Sequence, residues 1–296
     1  MVNVSMKLGL VSKYLSSTFR SFVLFLKLLR NELVSSVYTR FRCCGLAPFR
    51  NLLEGCPNRN FLCIVAFNLP WSISLMIRAC RLYLPEWQIV IFDNSSNPQA
   101  RLEIQNTCRS ENVPYLSLPW NLEWSPNRSH AIALNWIYYN IVKPCHPENF
   151  GFLDHDCFPF SHNGILDHIS NQPVYGFHRP SSVAPGAWSL WAGYMFFNFK
   201  LVSRYRLDFN HDQARNLDTG GRNWVKLYRY LNEEHLVQAY NGERKVCSLN
   251  GSQVYRVQCI DHAFLHIGGA SYRDHGEVAE DYIPTIRSLV ENSLRC

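Results

Sequence analysis

Apolar residues in the middle of the chain gather into short runs that alternate with stretches of helical spacing. FLCIVAF (61–67) and QIVIFD (88–93) are almost wholly apolar, as expected of strands buried on both faces. Between them, after an Asn-Leu-Pro break, residues 71–83 carry helical spacing. NSSNP then supplies a turn and a cap for a second helix over 98–111. YLSL (115–118) predicts a third strand, and SPNRSHAIALNWIYYNIV opens a third helix with Ser125 as cap and Pro126 at the first helical position. FGFL (150–153) predicts a fourth strand that runs straight into Asp154-His155-Asp156. This alternation implies an α/β fold, a mostly parallel sheet flanked by helices, with ligands collecting beyond the carboxyl ends of its strands.

Past residue 160 the pattern becomes mixed α+β. VYGFH (174–178) and the aromatic run SLWAGYMFFNF (189–199) predict strands, residues 219–233 a helix, the stretches around Val254 and Phe264 further strands, and 278–294 a closing helix. At the other end, Leu8, Leu15, Phe19, Phe22, Leu26, Leu29, Leu33 and Val37 recur on one helical face, with Lys13, Arg20 and Lys27 roughly opposite. The amphipathic helix over 8–37 either lies on an anionic membrane surface or packs on the body of the protein. Residues 45–60, with two prolines and two glycines, read as a linker. The expected organisation is a basic extension (1–50) and one domain (51–296), itself divided into halves at 61–160 and 161–296.

Composition narrows the function classes. A chain of 296 residues that is 47% hydrophobic can build a large core, which excludes disorder. No run approaches the ~18 to 20 apolar residues of a spanning helix, which excludes a polytopic membrane protein. The net charge of +6 is misleading about partners: residues 1–50 hold eight Lys/Arg against Glu32 alone, so the remainder sums to −1. A body so nearly neutral lacks the basic footprint of a nucleic-acid-binding domain. Eleven cysteines without a CxxC pair argue against a disulfide framework or structural zinc and for a reducing, cytoplasmic setting.

Asp154 and Asp156 are the strongest chemical signal. Two carboxylates one residue apart, where a buried strand ends, can both approach a divalent cation, and hard oxygen ligands with open positions suit Mg²⁺ or Mn²⁺ holding a diphosphate. CIVAFNLPWSISLMIRACRLYLPEWQIVIFDNSS, NRSHAIALNW and GFLDHDCFP, in that order, resemble the nucleotide-binding half of the GT-A glycosyltransferases, in particular the family 2 type. The resemblance covers roughly residues 61–160 and continues more loosely through LWAGYMFF, LDTGG and HIGGAS.

The resemblance implies a GT-A-like, Rossmann-related fold and metal-dependent transfer of a sugar from a nucleotide-diphosphate donor to a glycan or lipid-linked acceptor. It sets Phe67 and Asn68 against the base, Asp93 on base or ribose, Arg128 toward the nucleotide, and Asp154 toward ribose and metal. Asp156 binds the metal directly, and His266 resembles the third metal ligand of some members, with His262 a weaker candidate. For Asp93 an Asx-turn is the alternative, for Arg128 a solvated helix start, and for His266 a satisfied core position.

Inversion requires a carboxylate that deprotonates the acceptor hydroxyl. Asp218, in LDTGG, is the candidate base or else a helix cap, with Asp208 and Asp212 behind it. The sequence lacks the Glu-Asp pair commoner in the family at this place. Trp188, Trp191, Gly193 and Tyr194 either stack on a sugar or belong to the core, and His178-Arg179 either meets an anionic group or is a surface pair. Two rival functions fit parts of the pattern: a phosphoesterase using Asp154, Asp156, His262 and His266, and an inactive GT-A-like binding protein.

Overall fold

The computed structural model describes residues 22–23, 25–273 and 281–295. The chain divides into two compact units, one ending at Phe41 and one beginning at Arg42. In the first, residues 25–40 form helix α1, on which Phe25, Leu26, Leu29, Leu33 and Val37 are exposed. The upstream part of the expected apolar face, Leu8, Leu15 and Phe19 with Lys13 and Arg20, lies outside the described residues. Among the described residues no helix is long and apolar enough to cross a membrane.

The second unit is a mixed α/β body with a largely parallel central sheet. β1 (Asn60–Ala66), β2 (Gln88–Asp93), β3 (Tyr115–Ser117) and β4 (Asn149–Asp154) are all parallel, in the order β3-β2-β1-β4. β1, β2 and β4 are buried along almost their whole length, which explains why their sequences are near-continuous apolar runs. Proline at the start of each of α3 (Pro70–Tyr83), α4 (Pro98–Ser110) and α5 (Pro126–Ile137) sets the helical φ where no N–H partner is available anyway. Asn97 completes the start of α4 by accepting from the Gln99 and Ala100 amides. α5 runs on through a wider π-type turn, Tyr138–Val142.

The chain reverses direction between the β1 and β4 connections, so a crevice opens beyond the carboxyl ends of these two strands. Two antiparallel strands, β7 (Trp188–Asn198) and β6 (Val174–Pro180), extend the sheet past β4. A second, antiparallel sheet has the order β5-β10-β9-β8, from β5 (Cys157–Pro159), β8 (Asn241–Cys247), β9 (Val254–Ile260) and β10 (Phe264–His266). Only two residues separate the end of β4 from the start of β5, so the Asp154-His155-Asp156 turn hands the chain from one sheet to the other.

Three expectations change. The expected linker holds helix α2 (Leu46–Glu54), because Leu46, Phe49 and Leu53 fall on one face and are buried. The helix expected over 219–233 is only Asn223–Lys226 followed by single turns at Tyr228–Tyr230 and Glu233–His235. Leu227 at φ −138° ends the first piece, and Tyr228 just beyond it stacks on Trp188 at 4.5 Å. β5 and β8 were not expected, since one is only three residues long and the other, NGERKVC, is mostly polar. The closing helix is Tyr282–Ser293, and the earlier part of its expected range lies outside the described residues.

The two sheets of the body are tied by one carboxylate. Asp261 Oδ2 accepts from the hydroxyls of Tyr175 on β6 and Tyr194 on β7, each at 2.7 Å, and from Asn163 at 3.2 Å. Its Oδ1 accepts from the Tyr240 amide at 2.7 Å. Burial and this carboxylate both push the two phenols up, so they stay protonated and donate to it, while the Tyr194 oxygen also accepts from Asn163 at 3.3 Å. Asp261→Ala leaves buried donors without an acceptor and is expected to cost about 2 to 4 kcal/mol. Urea denaturation monitored by circular dichroism measures that loss.

Candidate active site

The crevice beyond β1 and β4 contains a cavity of about 570 Å³, within the usual range for a small-molecule site. Its walls include Phe67 after β1, Asn94 to Ser96 after β2, the start of α5, the Asp154-His155-Asp156 turn, Trp191 on β7, and His266 with Gly269 and Ser271. Asp154, Asp156 and His266 each offer one ligand atom, and those atoms lie within 4.8 Å of one another. The structure thus brings together the three residues that the sequence marked for metal.

Strand register explains the meeting. β10 runs antiparallel to β5 with His266 opposite Cys157, the residue after Asp156. Asp156 is then held from both ends: its carbonyl accepts from the Ile267 amide at 3.0 Å, and its Oδ2 from the Ala270 amide at 3.0 Å. Gly268 and Gly269, at φ +76° and +68°, turn the chain so that the second amide can reach. Burial would raise the Asp156 carboxyl, but His266, by charge and hydrogen bond, the charge of His155 and the Ala270 N–H together hold it well below the usual carboxylate range.

The His266 ring is oriented by a carboxamide. Gln258, its cross-strand neighbour on β9, donates from Nε2 to Asn241 Oδ1 at 2.7 Å, which directs its Oε1 to His266 Nδ1, also at 2.7 Å. An amide oxygen only accepts, so Nδ1 carries the hydrogen. His266 Nε2 then faces Asp156 Oδ1 at 3.5 Å. With the hydrogen on Nδ1, the Nε2 position is the one available for a ligand bond beside that carboxylate. The donor set of two carboxylates and an oriented imidazole fits a divalent ion.

Asp154 is placed by a missing side chain. A Cβ on Gly193 would come within 2.5 Å of Asp154 Oδ2 and 2.3 Å of the Trp191 ring, so glycine on β7 is what lets both groups face the cavity. His130 Nε2 lies 3.8 Å from Asp154 Oδ1; burial pushes this imidazole below its ordinary value against the pull of Asp154. His155 points away from its two neighbours. Its Nδ1 bonds the Val65 carbonyl at 3.0 Å and its Nε2 Ser271 Oγ at 2.9 Å, while Ser72 Oγ donates to its backbone carbonyl. The turn is clamped to β1, α3 and the segment after β10.

The other expected residues fare differently. Phe67 and Asp154 line the cavity; Asn68, Asp93 and Arg128 are not among its lining residues. Asn68, at φ +55°, braces the neighbouring loop by accepting from the Ser96 and Asn97 amides. Asp93 is fully buried, accepting from the Ser95 amide at 2.8 Å and Tyr115 Oη at 2.9 Å, the Asx-turn alternative. Arg128 pairs with Glu123 at 2.9 Å and lies over the Trp124 ring. The arginine that does line the cavity is Arg101 on α4. Neither it nor His130 stood out in the sequence, because each is a single polar residue on a helix whose facing is set only by packing.

Asp218 sits beside the cavity, since its neighbour Thr219 bonds the carbonyl of the lining residue Asn127. It caps no helix. His211 Nε2 lies 2.9 Å from Asp218 Oδ1 and Arg179 Nη1 3.8 Å from its Oδ2. The His211 hydrogen bond, opposed by burial and aided by the Thr219 N–H and the Arg179 charge, holds this carboxyl below the ordinary value and therefore ionised. Asp208 and Asp212 are committed elsewhere, to Asn210 and Arg222 and to Arg215 respectively. His262 stacks on Tyr240 at 4.3 Å and is outside the metal cluster, so the ligand set of the phosphoesterase alternative is not assembled. Trp188 and Tyr194 belong to the core, and only Trp191 of that aromatic run faces the cavity. His178 pairs with Glu233 at 3.1 Å.

No family model matches the sequence, and no curated protein matches it. Among solved structures, the chain is similar to glucosyl-3-phosphoglycerate synthase from Mycobacterium tuberculosis in complex with Mn²⁺, UDP and glucosyl-3-phosphoglycerate: 10% identity, 67% of this chain and 75% of that one, TM-score 0.37. It is also similar to the galactosyltransferase LgtC in complex with donor and acceptor sugar analogs, at 12% identity and TM-score 0.35; that match covers 49% of this chain and 59% of LgtC. A third similar structure is S. aureus TarS 1-349, at 16% identity over 51% of this chain and 50% of that one, TM-score 0.35.

The orientation of His266 is testable without any substrate. Gln258→Leu removes the acceptor that fixes the ring, and Mn²⁺ affinity is expected to fall about 10- to 100-fold. Titration calorimetry with Mn²⁺ measures it, and unchanged affinity would mean that Gln258 has no part in preparing the site.

Proposed function

We propose that this protein is a metal-dependent glycosyltransferase of the GT-A type that moves a sugar from a nucleotide-diphosphate donor to a glycan or lipid-linked acceptor, with inversion. The observation that carries the reading is the Asp154, Asp156 and His266 cluster, with His266 Nε2 aimed at Asp156, at the carboxyl ends of the paired strands β1 and β4. Mn²⁺ or Mg²⁺ bound there supplies positive charge for the departing diphosphate. Phe67 and the segment Asn94 to Ser96 offer a wall to the nucleoside, with Arg101 adding positive charge. Asn68, Asp93 and Arg128 act behind that wall, by fixing the loops that form it.

Asp218 is the proposed base. As the acceptor oxygen bonds to the anomeric carbon and the bond to the diphosphate breaks, the hydroxyl proton passes to the Asp218 carboxylate, leaving a nucleoside diphosphate. A carboxyl held below its ordinary value is always ready to accept, although a weak base, so most of the activation rests on leaving-group stabilisation. Trp191 and Arg179, joined by a guanidinium-over-ring contact at 5.9 Å, stand on the acceptor side of the cavity. The free thiols suit a cytoplasmic setting. The exposed apolar face of α1, beside Lys27 and Arg30, is proposed to lie on an anionic membrane surface.

Melting temperature measured against nucleoside diphosphates and nucleotide sugars, with and without Mn²⁺, tests the donor site. The expected result is a Mn²⁺-dependent rise with one nucleotide that Asp156→Ala abolishes; no rise with any nucleotide refutes the reading. In the same series Asp218→Asn is expected to keep the rise while turnover falls about 10²- to 10⁴-fold. Sedimentation with phosphatidylglycerol vesicles checks α1: Leu29→Glu with Leu33→Glu should weaken binding, and equal sedimentation of variant and wild type rejects the contact.

A further inference from the structure

The loop between β3 and α5 has its polarity inverted. Trp120, Leu122 and Trp124 are 75%, 85% and 81% exposed, whereas the polar residues alternating with them turn inward. The Glu123 side chain is only 2% exposed and is held by Arg128 and by the Ser125 amide at 3.3 Å. Asn121 donates to Ser129 Oγ at 2.9 Å and to the Ser129 carbonyl at 3.1 Å, and its Oδ1 accepts from the Glu123 amide at 3.0 Å. A chain that buries a carboxylate while holding two indoles and a leucine in water is working against the hydrophobic effect, and here a set of polar bonds fixes it in that state. Trp120 and Trp124 also line the mouth of the cavity.

We infer that this loop inserts into the interface of a lipid bilayer, so that the cavity opens at the membrane surface and its acceptor is a lipid-carried molecule. The inference rests on the proposed glycosyltransferase reading and narrows its acceptor. Indole rings suit the headgroup level, where one edge is apolar and the N–H is wet. Leu122, the most exposed of the three, decides between lipid and a soluble sugar: an aliphatic side chain offers a sugar neither a stacking face nor a hydrogen bond, but gains from an acyl environment. Helix α1 presents a separate exposed apolar face in the same chain.

The test uses the full chain with phosphatidylcholine–phosphatidylglycerol vesicles carrying brominated acyl chains, which quench indole fluorescence at the depth of the bromine. Wild type is expected to show a blue-shifted, quenched component. That component should be lost when Trp120→Phe and Trp124→Phe are combined, and weakened in Leu122→Asp. Quenching that is equal in wild type and the double variant overturns the inference, because any vesicle binding then comes from α1 alone. A soluble oligosaccharide that shifts the emission of these tryptophans while brominated lipid does not also overturns it, in favour of a glycan platform. The Mn²⁺-dependent melting shift, recorded on the same wild-type sample, keeps the two readings apart. A nucleotide shift without lipid quenching retains the donor site and rejects the lipid acceptor. Lipid quenching without a nucleotide shift retains the inserted loop and rejects the transferase.

Discussion

The antiparallel pairing of β5 with β10 is the constraint on which the site depends. Three residue pairs fix it, and the pair His266 with Cys157 sets the imidazole against the residue just before β5. Because side chains alternate across a strand, a slip of one residue would send His266 to the opposite face and bring Leu265 or Ile267 toward Asp156. The same pairing carries the Gly268-Gly269 turn to the place where the Ala270 amide meets Asp156 Oδ2. A site assembled from residues more than a hundred positions apart is thus specified by a strand of three residues, one that leaves the parallel sheet where the two carboxylates stand.

Electrostatics makes that assembly one-sided. Asp156 is almost completely buried, and a buried carboxylate without partners would be strongly destabilising. The Ala270 amide meets its Oδ2 and the His266 imidazole faces its Oδ1, so the negative charge is answered by the protein's own groups. Asp154 is more open and shares the cavity with a neutral His130, leaving its charge largely available. One carboxylate is pre-paid by the protein and the other is left for a ligand.

Much of the fold was legible in the sequence. β2 was read with both ends in place, and α3 and α4 to within a residue, because apolar runs, proline at the helix start and the Asn97 cap are local signals. Asp154, Asp156 and His266 were also named in advance, and the structure brings them together. What stayed hidden depends on facing and register. Arg101, His130 and Gly193 are ordinary residues until the sheet and helices turn them toward one cavity. Asp93 and Arg128 stood at the right ends of their elements, but Tyr115 and Glu123, distant in role though near in sequence, hold them away from it. β8 was invisible for the opposite reason: an edge strand needs only one partner, so its charged residues can face water.

The carboxamide behind His266 makes the edge of the small sheet part of the metal site's wiring. Gln258 is kept in its single useful orientation by Asn241, the first residue of the edge strand β8. If that strand frays, Gln258 is free to rotate its amide and offer a donor where it had offered an acceptor, and the imidazole then changes tautomer, moving its lone pair away from Asp156. At the proposed metal site, affinity would therefore read out whether a peripheral strand is zipped, over a relay of two hydrogen bonds.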